Sequence, residues 1–380
     1  MKTSLISLLI LQLLTFNLAT DLDTYYKSFM EYNGYKLEEN SVITDDGYIL
    51  SVWHLKPKVP NGKVAFFQHG LADTAWCFFQ LGSKSLPFLL LKEGYDVWLG
   101  NIRGNIFSNK HVSKDPTNAK SGYSDYSIDE FVQFDLPAMI KFVKSKTGGK
   151  KMSYIGHSQG TTIFFMLVMS NPSLAEASFD HFVTLGTVPN IAHTDFVPIE
   201  LLDKIYGILR AVGIFNAFSL TNTQRDLISS FCKTAYGICG KAFDLGASIK
   251  PSGRIDYKKI FNFLYYYPGG VSKNNLLHWS QIHAMKKLVY FNPNFEKDKT
   301  AEAYNTNNLK KWKIKALIAR TDDDTFSSYQ DVTDFYSMVE NKQIVKILDL
   351  VNYGHLDCLA ADSAVNDIFT PIINFLRNLK

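Results

Sequence analysis

The chain has 380 residues, 46% of them hydrophobic and 20% charged, which suits one large α/β domain with an insertion, or two domains, and is enough to bury a sizeable core. Its formal charge is only +4. The Lys and Arg residues are scattered and form no basic stripe, which argues against nucleic-acid binding.

In chain order, Lys2 precedes an apolar run from Leu5 to Leu14, and Ala19 offers a small residue for cleavage. Residues 1–19 read as a secretory signal peptide, the run being too short to span a bilayer. No later stretch has the roughly 18 uncharged apolar residues of a span, so a soluble lumenal or secreted protein is expected. Ser41–Thr44 and Tyr48–His54 read as a hairpin turning at Asp45-Asp46-Gly47. Short buried strands are expected at Val64–Gln68, before His69-Gly70-Leu71, and at Tyr95–Leu99, before Asn101-Ile102-Arg103-Gly104-Asn105. Ile128 to Lys144 has helical spacing, with Pro137 kinking or restarting it. Further strands are expected at Met152–Ile155, His181–Leu185, Ile314–Ala319 and Gln343–Leu348, and a closing helical region at Ser363–Leu379 with a break at Pro371. Strands alternating with helices predict an α/β fold, a mostly parallel central sheet flanked by helices.

That alternation lapses between Pro189 and Pro293, where Phe, Tyr and Leu abound and no clear strand is seen. Pro198–Phe218 has helical spacing, and an aromatic run extends from Phe261 to Tyr267. The segment reads as an α-helical cap, dividing the core into 20–188 and 294–380 around an insertion at 189–293. Four cysteines fit an oxidising compartment. Cys232 and Cys239 are close enough in sequence to staple a local loop, and the pairing of Cys77 with Cys358 is left open. No Cys/His spacing has the form of a zinc motif. No Asn-x-Ser/Thr sequon has a permitted middle residue, Asn171-Pro172-Ser173 failing on its proline, so N-glycosylation is not expected.

The most informative stretch is Tyr154-Ile155-Gly156-His157-Ser158-Gln159-Gly160. It reads as a strand breaking into a helix with a serine at the break. Glycines two residues either side make room for the turn and push the hydroxyl outward, the form of a nucleophile elbow. A serine hydroxyl needs a base oriented by an acid, the base following the acid in the chain. His355 stands after a strand and before the last helical region. Asp322, Asp323 and Asp324 follow the strand at Ile314–Ala319, and position alone does not choose among them. One oxyanion donor is expected at the backbone of Gln159, at a helix start, and the other in the loop at His69-Gly70-Leu71.

These motifs resemble the acid lipases, the group of gastric lipase and lysosomal acid lipase. The resemblance runs through Thr44–Leu50, Gln68-His69-Gly70-Leu71, Gly94–Asn101 with Arg103-Gly104-Asn105, the elbow to Thr162, His278-Trp279 and Tyr353-Gly354-His355-Leu356-Asp357. It implies an α/β-hydrolase fold with an inserted helical cap. It implies Ser158 as nucleophile, His355 as base, Leu71 and Gln159 as oxyanion donors, and Asp324 as the acid, with Asp322 as the fallback. It also implies a cap disulfide, for which Cys232 and Cys239 match. The loop Thr325-Phe326-Ser327-Ser328 departs from the family pattern. The expected function is a secreted or lysosomal lipase acting on triacylglycerol or steryl ester at a lipid–water interface, with no metal or cofactor. The alternatives are an esterase for small soluble esters and an inactive lipid carrier or sensor.

Overall fold

The computed structural model describes residues 22–118, 120–194, 216–217, 222–246, 253–259, 263–326 and 328–377. The signal segment at 1–19 and nearly all of the helical segment expected at Pro198–Phe218 lie outside them.

Strand β1 (Leu37–Ile43) and β2 (Tyr48–Leu55) form the hairpin, pairing antiparallel from Leu37↔Leu55 to Ile43↔Ile49. β3 (Val64–Gln68), β4 (Asp96–Gly100), the two-residue β5 (Lys110–His111), β6 (Met152–Ser158) and β7 (Phe179–Thr187) follow. β8 (Asn216–Ala217) and β9 (Val271–Ser272) pair antiparallel as a small separate sheet. The region in which the sequence shows no clear strand thus carries one short pair. Two residues per strand are too short for any period to register. β10 (Lys315–Thr321) and β11 (Val345–Leu350) close the large sheet.

The order in the large sheet is β1-β2-β4-β3-β6-β7-β10-β11, with β5 beside β2. Every pair from β4 onward is parallel. Parallel strands are buried on both faces, so they read as apolar runs and their side chains divide between two cores. On β3, Ala65 and Phe67 face one core, and Val64 and Phe66 the other. β4 divides likewise, Val97 and Leu99 against Trp98. The first core is covered by helices Leu22–Tyr32, Leu86–Lys92 and Thr370–Arg377, and by Tyr265 and Tyr266 of the aromatic run. The second is covered by Leu136–Lys146, by Gln159–Ser170, buried from Gln159 to Met169, and by Tyr329–Met338, and takes in Trp279 and Ile282 of helix Lys273–Met285.

Both predicted proline breaks have the same local form. A five-residue π-helical turn, Phe131–Asp135 or Val365–Phe369, precedes Pro137 and Pro371 respectively. The wider turn relieves the clash between a proline ring and the carbonyl four residues earlier. It also places Asp135, fully buried, against Arg103 from the loop after β4. The Arg103 guanidinium donates to Asp135 at 2.8 Å and to both oxygens of Asp46 at 2.6 and 2.8 Å, and lies 3.9 Å from the Tyr48 ring centroid. One buried cation thus ties the hairpin turn, the β4 loop and the π turn together. Removing one partner of such a buried pair leaves an uncompensated charge. Arg103→Met is expected to lower the unfolding free energy by about 3–5 kcal/mol in urea denaturation. A loss below about 1 kcal/mol would show the tie to be dispensable.

Candidate active site

Ser158 ends β6 and precedes helix Gln159–Ser170, with φ 52° and ψ −126°. A side chain other than glycine is strained there, and the surroundings must enforce the conformation. They do so through close backbone approach. A Cβ on Gly160 would stand 2.2 Å from the Gln68 carbonyl oxygen at the end of β3, and one on Gly70 would stand 2.8 Å from the Ser158 Cβ. The helix start and the loop after β3 are therefore pressed against each other with the serine between them.

His355 follows β11. Its Nε2 lies 2.8 Å from Ser158 Oγ, and its Nδ1 lies 2.7 Å from Asp324 Oδ2. The other Asp324 oxygen accepts the Phe326 N–H at 2.8 Å, and the Phe326 ring lies 4.8 Å from the imidazole. His355 and Asp324 are both more than nine-tenths buried, while Ser158 is half-buried. Gly186 at the end of β7 leaves room for the ring, since a Cβ there would sit 3.1 Å from His355 Nδ1. Three side chains named from sequence are thus in one hydrogen-bonded chain. Asp322 is elsewhere: its Oδ1 accepts the Asn352 N–H at 2.6 Å, pinning the loop that leads to His355.

Gln159, at the first helical position, is fully buried, and its side-chain oxygen accepts the Trp279 indole N–H at 2.8 Å. Leu71 follows Gly70 and packs with Val271 and Leu276, next to the small sheet of β8 and β9. The loop carrying it is braced by residues to which sequence reasoning gave no role. Ile102 N–H and the Asn105 amide nitrogen approach His69 Nε2 at 3.3 and 3.1 Å. A backbone N–H can only donate, so Nε2 is the unprotonated nitrogen. Nδ1 therefore carries the hydrogen and donates to the Gly70 carbonyl at 2.9 Å. Asn101 adds a second brace, its Oδ1 accepting from Ala75 N–H and from the Asn105 amide. The signal for these residues was the run of asparagines in the loop after β4, Asn101, Asn105 and Asn109, which a single sequence gives no means to interpret.

The Cys232–Cys239 disulfide is formed, and Cys77 and Cys358 are buried free thiols.

Burial lowers the His69 pKa from 6.5 to about 4, and lowers that of His157 well below its usual value, with His355 adding repulsion. Both rings are neutral in the folded state at mild acidity, whereas the unfolded chain takes up protons near pH 6.5. Their contribution is therefore fully present above about pH 6.5 and is lost as pH falls from there toward 4. Wild-type unfolding free energy is expected to fall over that window, and His69→Gln to reduce the fall by on the order of 3 kcal/mol. Urea titrations at pH 7, 5.5 and 4 provide the check. Parallel losses in the two proteins would remove His69 from the account.

Comparisons with known proteins bear on the family and the fold. Residues 26–82 match the family described as a partial alpha/beta-hydrolase lipase region, and residues 66–234 the one described as the alpha/beta hydrolase fold. Gastric triacylglycerol lipase of Mus musculus is 32% identical, the alignment covering 91% of this chain and 89% of that protein. The human protein of the same name is 31% identical, over 92% and 90%. Lipase lipl-1 of Caenorhabditis elegans is 32% identical over 91% and 89%. Among solved structures, an esterase from Exiguobacterium antarcticum superposes with a TM-score of 0.55 at 12% identity, covering 90% of this chain and all of that one, a likeness of fold alone.

Proposed function

The chain belongs to the acid lipase family of the α/β-hydrolases, the group of gastric triacylglycerol lipase, and from that premise we propose that it hydrolyses the carboxylic ester bonds of neutral lipids through Ser158, His355 and Asp324. The observation that carries this reading is the unbroken contact from Ser158 Oγ through the His355 ring to Asp324 Oδ2. His355 Nε2 removes the Ser158 proton as Oγ attacks the ester carbonyl carbon. The negative charge that develops on the carbonyl oxygen is held by the backbone N–H groups of Leu71 and Gln159, each worth roughly 3–4 kcal/mol in the transition state. His355 then protonates the leaving alcohol. Water, losing its proton to His355, attacks the acyl-Ser158 ester and releases the fatty acid. Asp324 stabilises the imidazolium and fixes the ring's tautomer.

The substrate class is triacylglycerol or steryl ester, met at a lipid–water interface. The insertion at 189–293 serves as the cap. Its helices Asn222–Thr234 and Tyr236–Gly246 expose Leu227, Ile228, Phe231, Tyr236 and Ile238, five of the twelve exposed large hydrophobic side chains among the described residues, crowded into a short stretch. Such a concentration marks an interaction surface, and a lipid droplet is the partner that suits this substrate class. An N-terminal signal segment would deliver the enzyme to an endomembrane lumen, from which it is secreted or passes to the lysosome. Among the described residues no helix is long and apolar enough to cross a membrane.

On emulsified long-chain triacylglycerol across acid to neutral pH, Ser158→Ala is expected to lose at least about 10⁴-fold in kcat. Asp324→Asn is expected to lose on the order of 10⁴-fold, and Asp322→Asn far less. Full activity in Ser158→Ala would overturn the assignment, and equal losses at the two aspartates would reopen the choice of acid. For the cap, Phe231→Asp with Ile238→Asp is expected to lower activity on emulsions at least about tenfold more than on a dissolved short-chain ester. Equal effects on both substrates would place the patch outside lipid contact.

A further inference from the structure

Behind the catalytic serine lies a second constellation that the hydrolytic mechanism does not use. Asp73, on the loop that continues from Leu71, Cys77 four residues on, and His157, beside Ser158 in the chain, bring a carboxylate oxygen, a thiol sulfur and an imidazole nitrogen within 4.8 Å of one another. All three residues are at least 96% buried. Neither ring nitrogen of His157 has a hydrogen-bond partner of good geometry. A buried imidazole without a partner is costly and calls for an explanation. The Cys77 thiol donates to the Asp73 carboxyl, whose other firm contact is the Thr74 N–H at 2.8 Å on Oδ1. The carboxyl and the thiol occupy each other, while the imidazole has only a poorly aligned contact with the His355 backbone.

We propose that Asp73, Cys77 and His157 form a site for a single divalent cation of the zinc class, and that its occupancy restrains the oxyanion loop. The donor set is one thiolate, one imidazole and one carboxylate, the mixed soft and borderline set that selects zinc over magnesium or calcium. Three protein ligands at about 2.0–2.3 Å leave a fourth tetrahedral position for water. The donors close inward by about 1 Å to meet those bond lengths. Charge also balances. The cation displaces the carboxyl proton of Asp73 and the thiol proton of Cys77, so a neutral cluster plus a dication becomes a neutral complex and two protons leave for solvent. No net charge is buried, which removes the main cost of placing an ion there. The titratable groups facing the cluster are His69, His355 and Tyr267.

The link to the oxyanion loop is one residue long. Ala72, between Leu71 and Asp73, has φ 54°, a left-handed conformation that an alanine holds only under constraint. Gly269 N–H donates to the Ala72 carbonyl at 2.6 Å, and a Cβ on Gly269 would stand 2.9 Å from the Asp73 carbonyl oxygen. With that side blocked, drawing Asp73 toward a cation turns the Leu71–Ala72 peptide instead. The coupling to catalysis rests on the hydrolytic reading above, whereas the binding itself does not, so each can fail alone.

The full-length protein, stripped with a chelator, is titrated with Co2+ and with Zn2+. The expected result is one Co2+ per chain with thiolate-to-cobalt charge-transfer absorption, displaced by Zn2+ with release of about two protons per ion near neutral pH. Cys77→Ser is expected to abolish that absorption. Both Cys77→Ser and Asp73→Asn are expected to weaken binding by more than the roughly 10–100-fold that losing an outer hydrogen-bond partner of a ligand costs. Thermal unfolding of each metal-free variant identifies one that fails to fold, in which case Cys77→Ala replaces it. Absence of the charge-transfer band in a folded wild type, or its persistence in Cys77→Ser, overturns the site. For the coupling, hydrolysis of a dissolved ester is expected to fall with the same midpoint as the cobalt band. A band that develops with hydrolysis unchanged overturns the coupling and leaves the site standing.

Discussion

The approach of one helix to one strand governs everything around Ser158. Helix Gln159–Ser170 begins so close to the end of β3 that no side chain fits at Gly160. That contact bends the chain between β6 and the helix and holds the serine at positive φ against its own preference. It also sets the Gln159 backbone beside the loop from β3, because the strand end and the helix start are the two walls of the same gap. A cavity-making change deep in the sheet would relax the wall. A side chain at position 160 would force it open, and the serine would turn back toward an ordinary conformation.

The loops that face this gap anchor Ile102 and Phe107 in the cores, and polar side chains tie them to one another. His69 reaches back to the loop after β4, Asn105 and Asn101 link that loop to the start of the next turn, and Arg103 ties it to the hairpin and to the π turn before Pro137. These groups are buried and mutually satisfied, so they specify one arrangement and not a family of loop conformations. Trp279 performs the same service for Gln159 from helix Lys273–Met285. The loops around the site are held chiefly by this polar layer.

Much of this was legible beforehand. The apolar runs of β3, β6 and β10 stand out because parallel strands are buried on both faces, and their ends fall within a residue or two of the pattern except where β6 continues through Gly156 and His157 to the serine itself. Ser158 and His355 could be named from spacing and chain order. Asp324 could not be named that way, since three successive acids satisfy the same rule; the family resemblance picked it, and the geometry sets Asp324 on the imidazole and Asp322 on the loop backbone. The Asp73–Cys77–His157 cluster was invisible, because two of its members lie on one loop and the third some eighty positions away, and no spacing rule joins them. The small sheet of β8 and β9 lay below the length at which alternation carries information.

β11 is the outermost strand of the sheet, and four of its six residues are partly or fully exposed. The base of the site hangs from the end of that edge. Its loop is fastened mainly by neighbours from elsewhere: Asp322 on the Asn352 N–H, and Arg254 of the insertion on the carbonyls of Asn352 and Val351 at 2.8 and 3.2 Å, with its guanidinium over the Tyr353 ring. The nucleophile is thus held by the centre of the sheet, whereas the base, at its edge, is held by the burial of Tyr353, Leu356, Cys358 and Leu359 in the first core and by ties from distant parts of the chain. The two halves of one proton relay are anchored to different parts of the fold.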